Sequence, residues 1–198
     1  MSDFIHQFEA GTGEQTVLAL HGTGGTERDL VPLARSLFPA ANILSPRGKV
    51  SERGANRFFK RLAEGVFDLN DLHQQTDDLA DFVIDSATKY AFDPAQVWAL
   101  GYSNGANIAA SLLLQRAETL SGAVLLRAMT PFEPPIVPNL VGKRIFLASG
   151  RFDPLVPVVN IENLSRLFRE GGANVELRFQ NAGHDLTREE LEAIKQWL

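Results

Sequence analysis

The pentapeptide Gly101-Tyr102-Ser103-Asn104-Gly105 sets a serine between two glycines, directly after the apolar run 97–100 and before the helical pattern 104–116. A serine on so sharp a strand-to-helix turn is exposed for attack, and bulky residues two places away would crowd it. The helix that follows points its positive end at the serine, which favours an oxyanion there. A serine hydroxyl is a weak nucleophile until a base takes its proton and an acid holds the base. Of the four histidines, His6, His21, His73 and His184, only His184 comes after Ser103, in a loop that follows the strand pattern 175–179. Asp153, in Gly150-Arg151-Phe152-Asp153-Pro154, follows the run 144–149. Asp185 competes poorly, because adjacent side chains on a turn seldom face each other. Ser103, His184 and Asp153 are therefore the expected nucleophile, base and acid of an acyl-transfer reaction. Each alone has a plain structural reading (a glycine turn, a loop histidine bonded to backbone, an Asp-Pro turn), but three in this order at three strand ends point to chemistry.

Acyl transfer also needs donors for the tetrahedral oxyanion. His21-Gly22-Thr23-Gly24-Gly25 follows the run Thr16–Leu20, and its glycines let the backbone turn toward a substrate. The main-chain N–H groups of Thr23 and Asn104 are the expected oxyanion hole. A phosphate cradle is disfavoured, since the loop lacks both G-x-G-x-x-G spacing and a P-loop lysine. His21 reads as a structural residue holding this loop. No partner stands at metal-ligand spacing from it, so no metal is expected.

These residues need a frame that brings strand ends together. Apolar runs at Thr16–Leu20, 42–44, 97–100, Gly122–Leu126, 144–149 and 175–179 alternate with helical patterns at 28–37, 72–90, 104–116, 158–169 and 187–198. Thr187 and Glu190 stand at capping-box spacing at the head of the last helix. Such alternation predicts an α/β fold, a mostly parallel sheet with helices on both faces, which binds ligands at the carboxyl ends of its strands. The connection 46–70 shows little regular pattern and is long enough to border a site. Two readings of it stay open. In one, Phe58 and Phe59 wall an apolar pocket while Arg57 or Arg61 meets a polar group. In the other, the loop is solvated, Glu64 pairs locally and a phenylalanine plugs the core. The Pro-rich segment 128–139 offers a second wall, with Met129 and Phe132 as candidates.

Composition narrows the classes. The 198 residues, 44% of them hydrophobic, suit one domain, expected to span 1–198 with no separate lid domain. The absence of cysteine excludes disulfides, thiolate metal sites and a cysteine nucleophile. A formal net charge of −5 argues against a nucleic-acid partner. No apolar stretch approaches the roughly 20 residues of a membrane span, and residues 1–10 carry no signal-peptide core, so a cytoplasmic protein is expected.

Taken together, the glycine loop at 21–25, Gly101–Gly105, Gly150…Asp153-Pro154…Val156-Pro157 and Gly183-His184 resemble the α/β-hydrolase superfamily. More narrowly, they are similar to its small carboxylesterase/phospholipase group, which includes the acyl-protein thioesterases. The stretch Arg57-Phe58-Phe59…Arg61…Glu64-Gly65…Phe67-Asp68…Asp71-Leu72 resembles bacterial esterases of that group linked to hydroquinone resistance. Thioesterases of the group carry Gln after the nucleophile, where this chain has Asn104. The resemblance implies hydrolysis of short carboxylic esters by a Ser103–Asp153–His184 triad, with no cofactor, on a small-molecule ester and in a possible homodimer. A thioesterase or lysophospholipase with the same triad, and a non-catalytic small-ligand binder on the same fold, are the alternatives.

Overall fold

Runs of small and branched apolar residues build the centre of the molecule. The computed structural model describes residues 4–198; positions 1–3 of the stretch expected to lack a signal-peptide core lie outside the described residues. A seven-stranded sheet forms among the described residues, from β1 (His6–Glu9), β2 (Thr16–Leu20), β3 (Asn42–Pro46), β8 (Val97–Tyr102), β9 (Gly122–Leu126), β10 (Arg144–Gly150) and β11 (Asn174–Gln180), in the order β1-β3-β2-β8-β9-β10-β11. All neighbours run parallel except β1, which pairs antiparallel with β3 at one edge.

Alternate residues of each strand face opposite layers, as the two-residue period of a strand requires. Val17 and Ala19 of β2 join one apolar cluster, with Val31, Ala34 and Leu37 of α1 (Val31–Leu37) and Ile194 of α5 (Arg188–Trp197). Leu18 and Leu20 join the other, under α2 (Leu69–Tyr90), α3 (Asn104–Gln115) and α4 (Val158–Glu170). Helices therefore cover both faces, as the alternation of patterns predicts. Among the described residues no helix is long and apolar enough to cross a membrane.

Several boundaries and one long connection differ from expectation. Helix α2 begins at Leu69 rather than 72, because Asp68 accepts a hydrogen bond from the Asp71 N–H and caps its first turn. Helix α1 begins at Val31 rather than 28. Strand β1 escapes a pattern search, since His6-Gln7-Phe8-Glu9 is half-buried throughout and mostly polar. The connection 46–70 is not irregular. It folds into two antiparallel hairpins, β4 (Val50–Glu52) with β5 (Ala55–Arg57) and β6 (Arg61–Ala63) with β7 (Val66–Phe67). Strands of two or three residues are too short to leave a readable period. The Thr187–Glu190 capping box forms as expected, the Thr187 hydroxyl accepting from the Glu190 N–H and the Glu190 carboxylate from the Thr187 N–H.

Candidate active site

Ser103 sits between the end of β8 and the start of α3 with φ 51° and ψ −114°. A left-handed conformation is strained for a residue with a side chain. It is held by backbone bonds on both sides: the Ser103 N–H donates to the Leu126 carbonyl at 2.8 Å, and the Asn107 N–H donates to the Ser103 carbonyl at 2.9 Å. The flanking glycines are needed for the close approach this turn makes. A Cβ on Gly105 would fall 2.0 Å from the Leu20 carbonyl oxygen, and one on Gly101 would fall 2.7 Å from the Ala106 Cα.

The three residues singled out by motif and order converge. The Ser103 Oγ lies 2.9 Å from His184 Nε2, and His184 Nδ1 lies 2.8 Å from Asp153 Oδ2. With Nδ1–H donating to the carboxylate, Nε2 is free to accept the serine proton. The other Asp153 oxygen accepts from the Leu155 and Val156 N–H groups at 2.8 and 3.2 Å, which fixes the carboxylate on its loop. The Tyr102 hydroxyl donates to the His184 carbonyl at 3.0 Å and holds the histidine loop from below.

Thr23 and Asn104 both border the cleft beside Ser103. Neither main-chain N–H has an acceptor among the described residues. The loop that carries Thr23 is fixed from two directions. His21 is buried, with Nδ1–H donating to the Gly22 carbonyl at 2.6 Å and Nε2 accepting from the Gly48 N–H at 3.0 Å. Burial pushes its pKa below the ordinary 6.5, against the pull of the Gly22 carbonyl. The second direction is the β4–β5 hairpin. The Asn56 carbonyl accepts from the Gly24 N–H at 2.8 Å, and the Asn56 side-chain amide donates to the Gly25 carbonyl at 2.9 Å. Arg57 Nη1 donates to Thr23 Oγ1 at 2.7 Å, and the Phe58 N–H donates to the Asn104 side-chain oxygen at 2.7 Å. Three consecutive residues thus brace both sides of the expected oxyanion hole.

The pocket residues divide. Arg57 and Met129 line a cleft of about 370 Å³ in front of Ser103, together with Arg61, Glu64, Phe67 and Leu155. Phe58 and Phe59 do not line it. Both are 0% exposed: Phe58 packs on His21 at 4.7 Å and Phe59 meets Phe67 edge-on at 5.0 Å. The chain turns inward after β5 and buries both rings in the core, which corrects the reading of them as pocket walls. Phe132 packs against His73 at 4.6 Å instead of facing the cleft.

Arg127 is a site residue that motif reasoning passes over. It follows β9 with φ 60° and is wholly buried. Its guanidinium grips the two carbonyls flanking His184, those of Gly183 at 3.1 Å and Asp185 at 2.5 Å, and forks onto Glu190 at 2.6 and 3.0 Å. The signal was present in the sequence as a charged residue placed directly after the fully apolar strand Gly122–Leu126.

Comparison with known proteins identifies the family. The phospholipase/carboxylesterase family model matches residues 7–198. The chain is 44% identical over 192 residues to the MhqD protein of Bacillus subtilis (strain 168), covering 97% of this chain and 96% of that one. Its fold superposes on the crystal structure of the Bacillus cereus carboxylesterase with a TM-score of 0.96 and 45% identity, over 98% of this chain and 92% of that one. It also superposes on YahD, solved with malic acid, with a TM-score of 0.92 and 35% identity, over 98% of this chain and 97% of that one. With a mostly parallel sheet, a glycine-flanked serine and a match over nearly its whole length, the chain belongs to the phospholipase/carboxylesterase family of hydrolases on the α/β-hydrolase fold.

Proposed function

We propose that the protein is a serine-dependent carboxylesterase acting on short-chain esters through an acyl-serine intermediate. The observation that carries this reading is the continuous hydrogen-bonded line from Ser103 Oγ through both ring nitrogens of His184 to Asp153. His184 Nε2 takes the hydroxyl proton as Ser103 Oγ attacks the ester carbonyl. The Thr23 and Asn104 N–H groups receive the negative charge that builds on the carbonyl oxygen. His184 then gives its proton to the leaving alkoxide, and the acyl group remains on Ser103. A water, deprotonated by the same nitrogen, attacks the acyl-serine; collapse of that second tetrahedral species returns the proton to Ser103 and releases the acid. Asp153 orients the ring and stabilises its charged form throughout.

The short-chain preference rests on the cleft. It has a volume of about 370 Å³ and is bordered by the β6–β7 hairpin, Met129 and Leu155, room at the lower end of ordinary ligand pockets. A carboxylesterase relative at 45% identity and a relative at 35% identity described with malic acid, a small polar molecule, suit the same scale of ligand. The test is hydrolysis of p-nitrophenyl acetate and butyrate by the wild type and Ser103→Ala. The substitution is expected to lower kcat by about 10⁴-fold or more, as for other serine triads, with an unchanged circular-dichroism spectrum. Activity retained by a folded Ser103→Ala protein would overturn the assignment.

A further inference from the structure

Two cations face the cleft on the Thr23 side, and a single carboxylate serves both. Arg57 Nε lies 3.3 Å from Glu52 Oε2. Arg61 Nε donates to both oxygens of the same Glu52, at 3.1 and 3.0 Å. Arg57 commits Nε also to the Phe59 carbonyl at 3.2 Å and Nη1 to Thr23 Oγ1. That leaves Nη2 of Arg57 and both terminal nitrogens of Arg61 without a hydrogen-bond partner among the described residues, on side chains that line the cleft.

The surroundings do not supply the missing negative charge. Arg57 is only 4% exposed, and its pKa is pulled below the ordinary guanidinium value by burial first and by the like charge of Arg61 second, which Glu52 offsets only in part. Glu64 also borders the cleft, but it is exposed at the tip of the β6–β7 hairpin, where water and salt screen it. The remaining charges are engaged elsewhere: Glu190 with Arg127, and Asp153 with His184. A buried cation short of counter-charge is stabilised by an anion brought against it. A planar fork of N–H groups suits a carboxylate in particular.

We propose that the cleft is built for esters that carry a second, ionised carboxylate, held by Arg57 and Arg61 while the ester carbonyl lies at Ser103. The inference rests on the esterase reading and narrows its substrate class to half-esters of small dicarboxylic acids and their like. The arginines orient the substrate; the ester-cleaving steps remain those of Ser103 and His184.

Two measurements test it on the intact protein: kcat/KM for monoethyl succinate against ethyl pentanoate of matched length, and calorimetric titration with succinate. The wild type is expected to favour monoethyl succinate by about tenfold or more, the scale of a charge-assisted contact, and to bind succinate saturably. Arg61→Gln and Arg57→Gln are each expected to reduce the preference and weaken succinate binding by about tenfold. Arg61, which is half-buried, supplies the test should Arg57→Gln fail to fold. Equal or faster turnover of ethyl pentanoate by the wild type, or a preference unchanged in Arg61→Gln, would overturn the proposal and leave the esterase reading standing. Succinate binding that depends on the arginines, with neither of these esters nor p-nitrophenyl acetate cleaved, would keep the anion site and remove the esterase reading.

Discussion

The Arg127 side chain is fully buried, and every hydrogen bond its guanidinium makes serves the histidine loop or the last helix. The guanidinium sits 4.0 Å from Asp153 Oδ2, so it also lies close to the acid of the proposed triad. Such a pair is costly to bury and more costly to break, because deleting one partner strands the other charge in the core. Arg127→Met is therefore expected to destabilise the protein by about 3–5 kcal/mol, and to lower kcat by loosening the Gly183 and Asp185 carbonyls. In Arg127→Met/Glu190→Gln the second residue is neutral and still caps α5, so most of the stability should return. Urea unfolding of the single and double variants checks this; a double variant no more stable than Arg127→Met would contradict it. At this scale the sequence was legible where spacing is fixed by chemistry, as at Gly101–Gly105 and His184. It was silent on side-chain direction. Arg57, Phe58 and Phe59 are consecutive, yet only the first reaches the cleft, because the chain bends inward where β5 ends.

The β4–β5 hairpin is the element that ties the loop of Thr23, the proposed oxyanion donor, to the body of the molecule. Asn56 bonds Gly24 and Gly25, Arg57 bonds Thr23, and the Phe58 N–H bonds the Asn104 side chain. An expected border of the site thus proves to be a brace. A preorganised donor is worth more in the transition state than in the ground state. Asn56→Ala removes the side-chain bond to Gly25 but touches neither donor. It is expected to lower kcat by about tenfold, less than the 10²–10³-fold seen when an oxyanion donor is deleted, with KM nearly unchanged. Steady-state kinetics decide the matter: a raised KM with kcat intact would mean that the hairpin only shapes the cleft. The hairpins themselves were not legible. Strands of two or three residues leave no period, and their partners are set by the loop they dock against rather than by their own pattern.

Across the whole molecule, the alternation of apolar runs with amphipathic helices was enough to predict a parallel sheet covered on both faces and ligand chemistry at its strand ends. The sheet does bring Ser103, Asp153 and His184 together from the ends of β8, β10 and β11, residues 50 and 31 positions apart in the chain. The antiparallel edge strand β1 was not foreseeable, since its polar residues are only half-buried and its pairing is decided by β3. In the proposed function, the fold sets one activated serine against fixed donors and a cationic wall. The central claim is that Ser103 is the activated nucleophile, and covalent capture tests it most directly. Treatment with a fluorophosphonate, followed by intact mass and peptide mapping, is predicted to give one phosphonyl adduct per chain on Ser103. Esterase activity should fall in proportion to adduct formation, and the Ser103→Ala protein should remain unlabelled. An adduct on another residue, or activity that survives full modification of Ser103, would contradict the account.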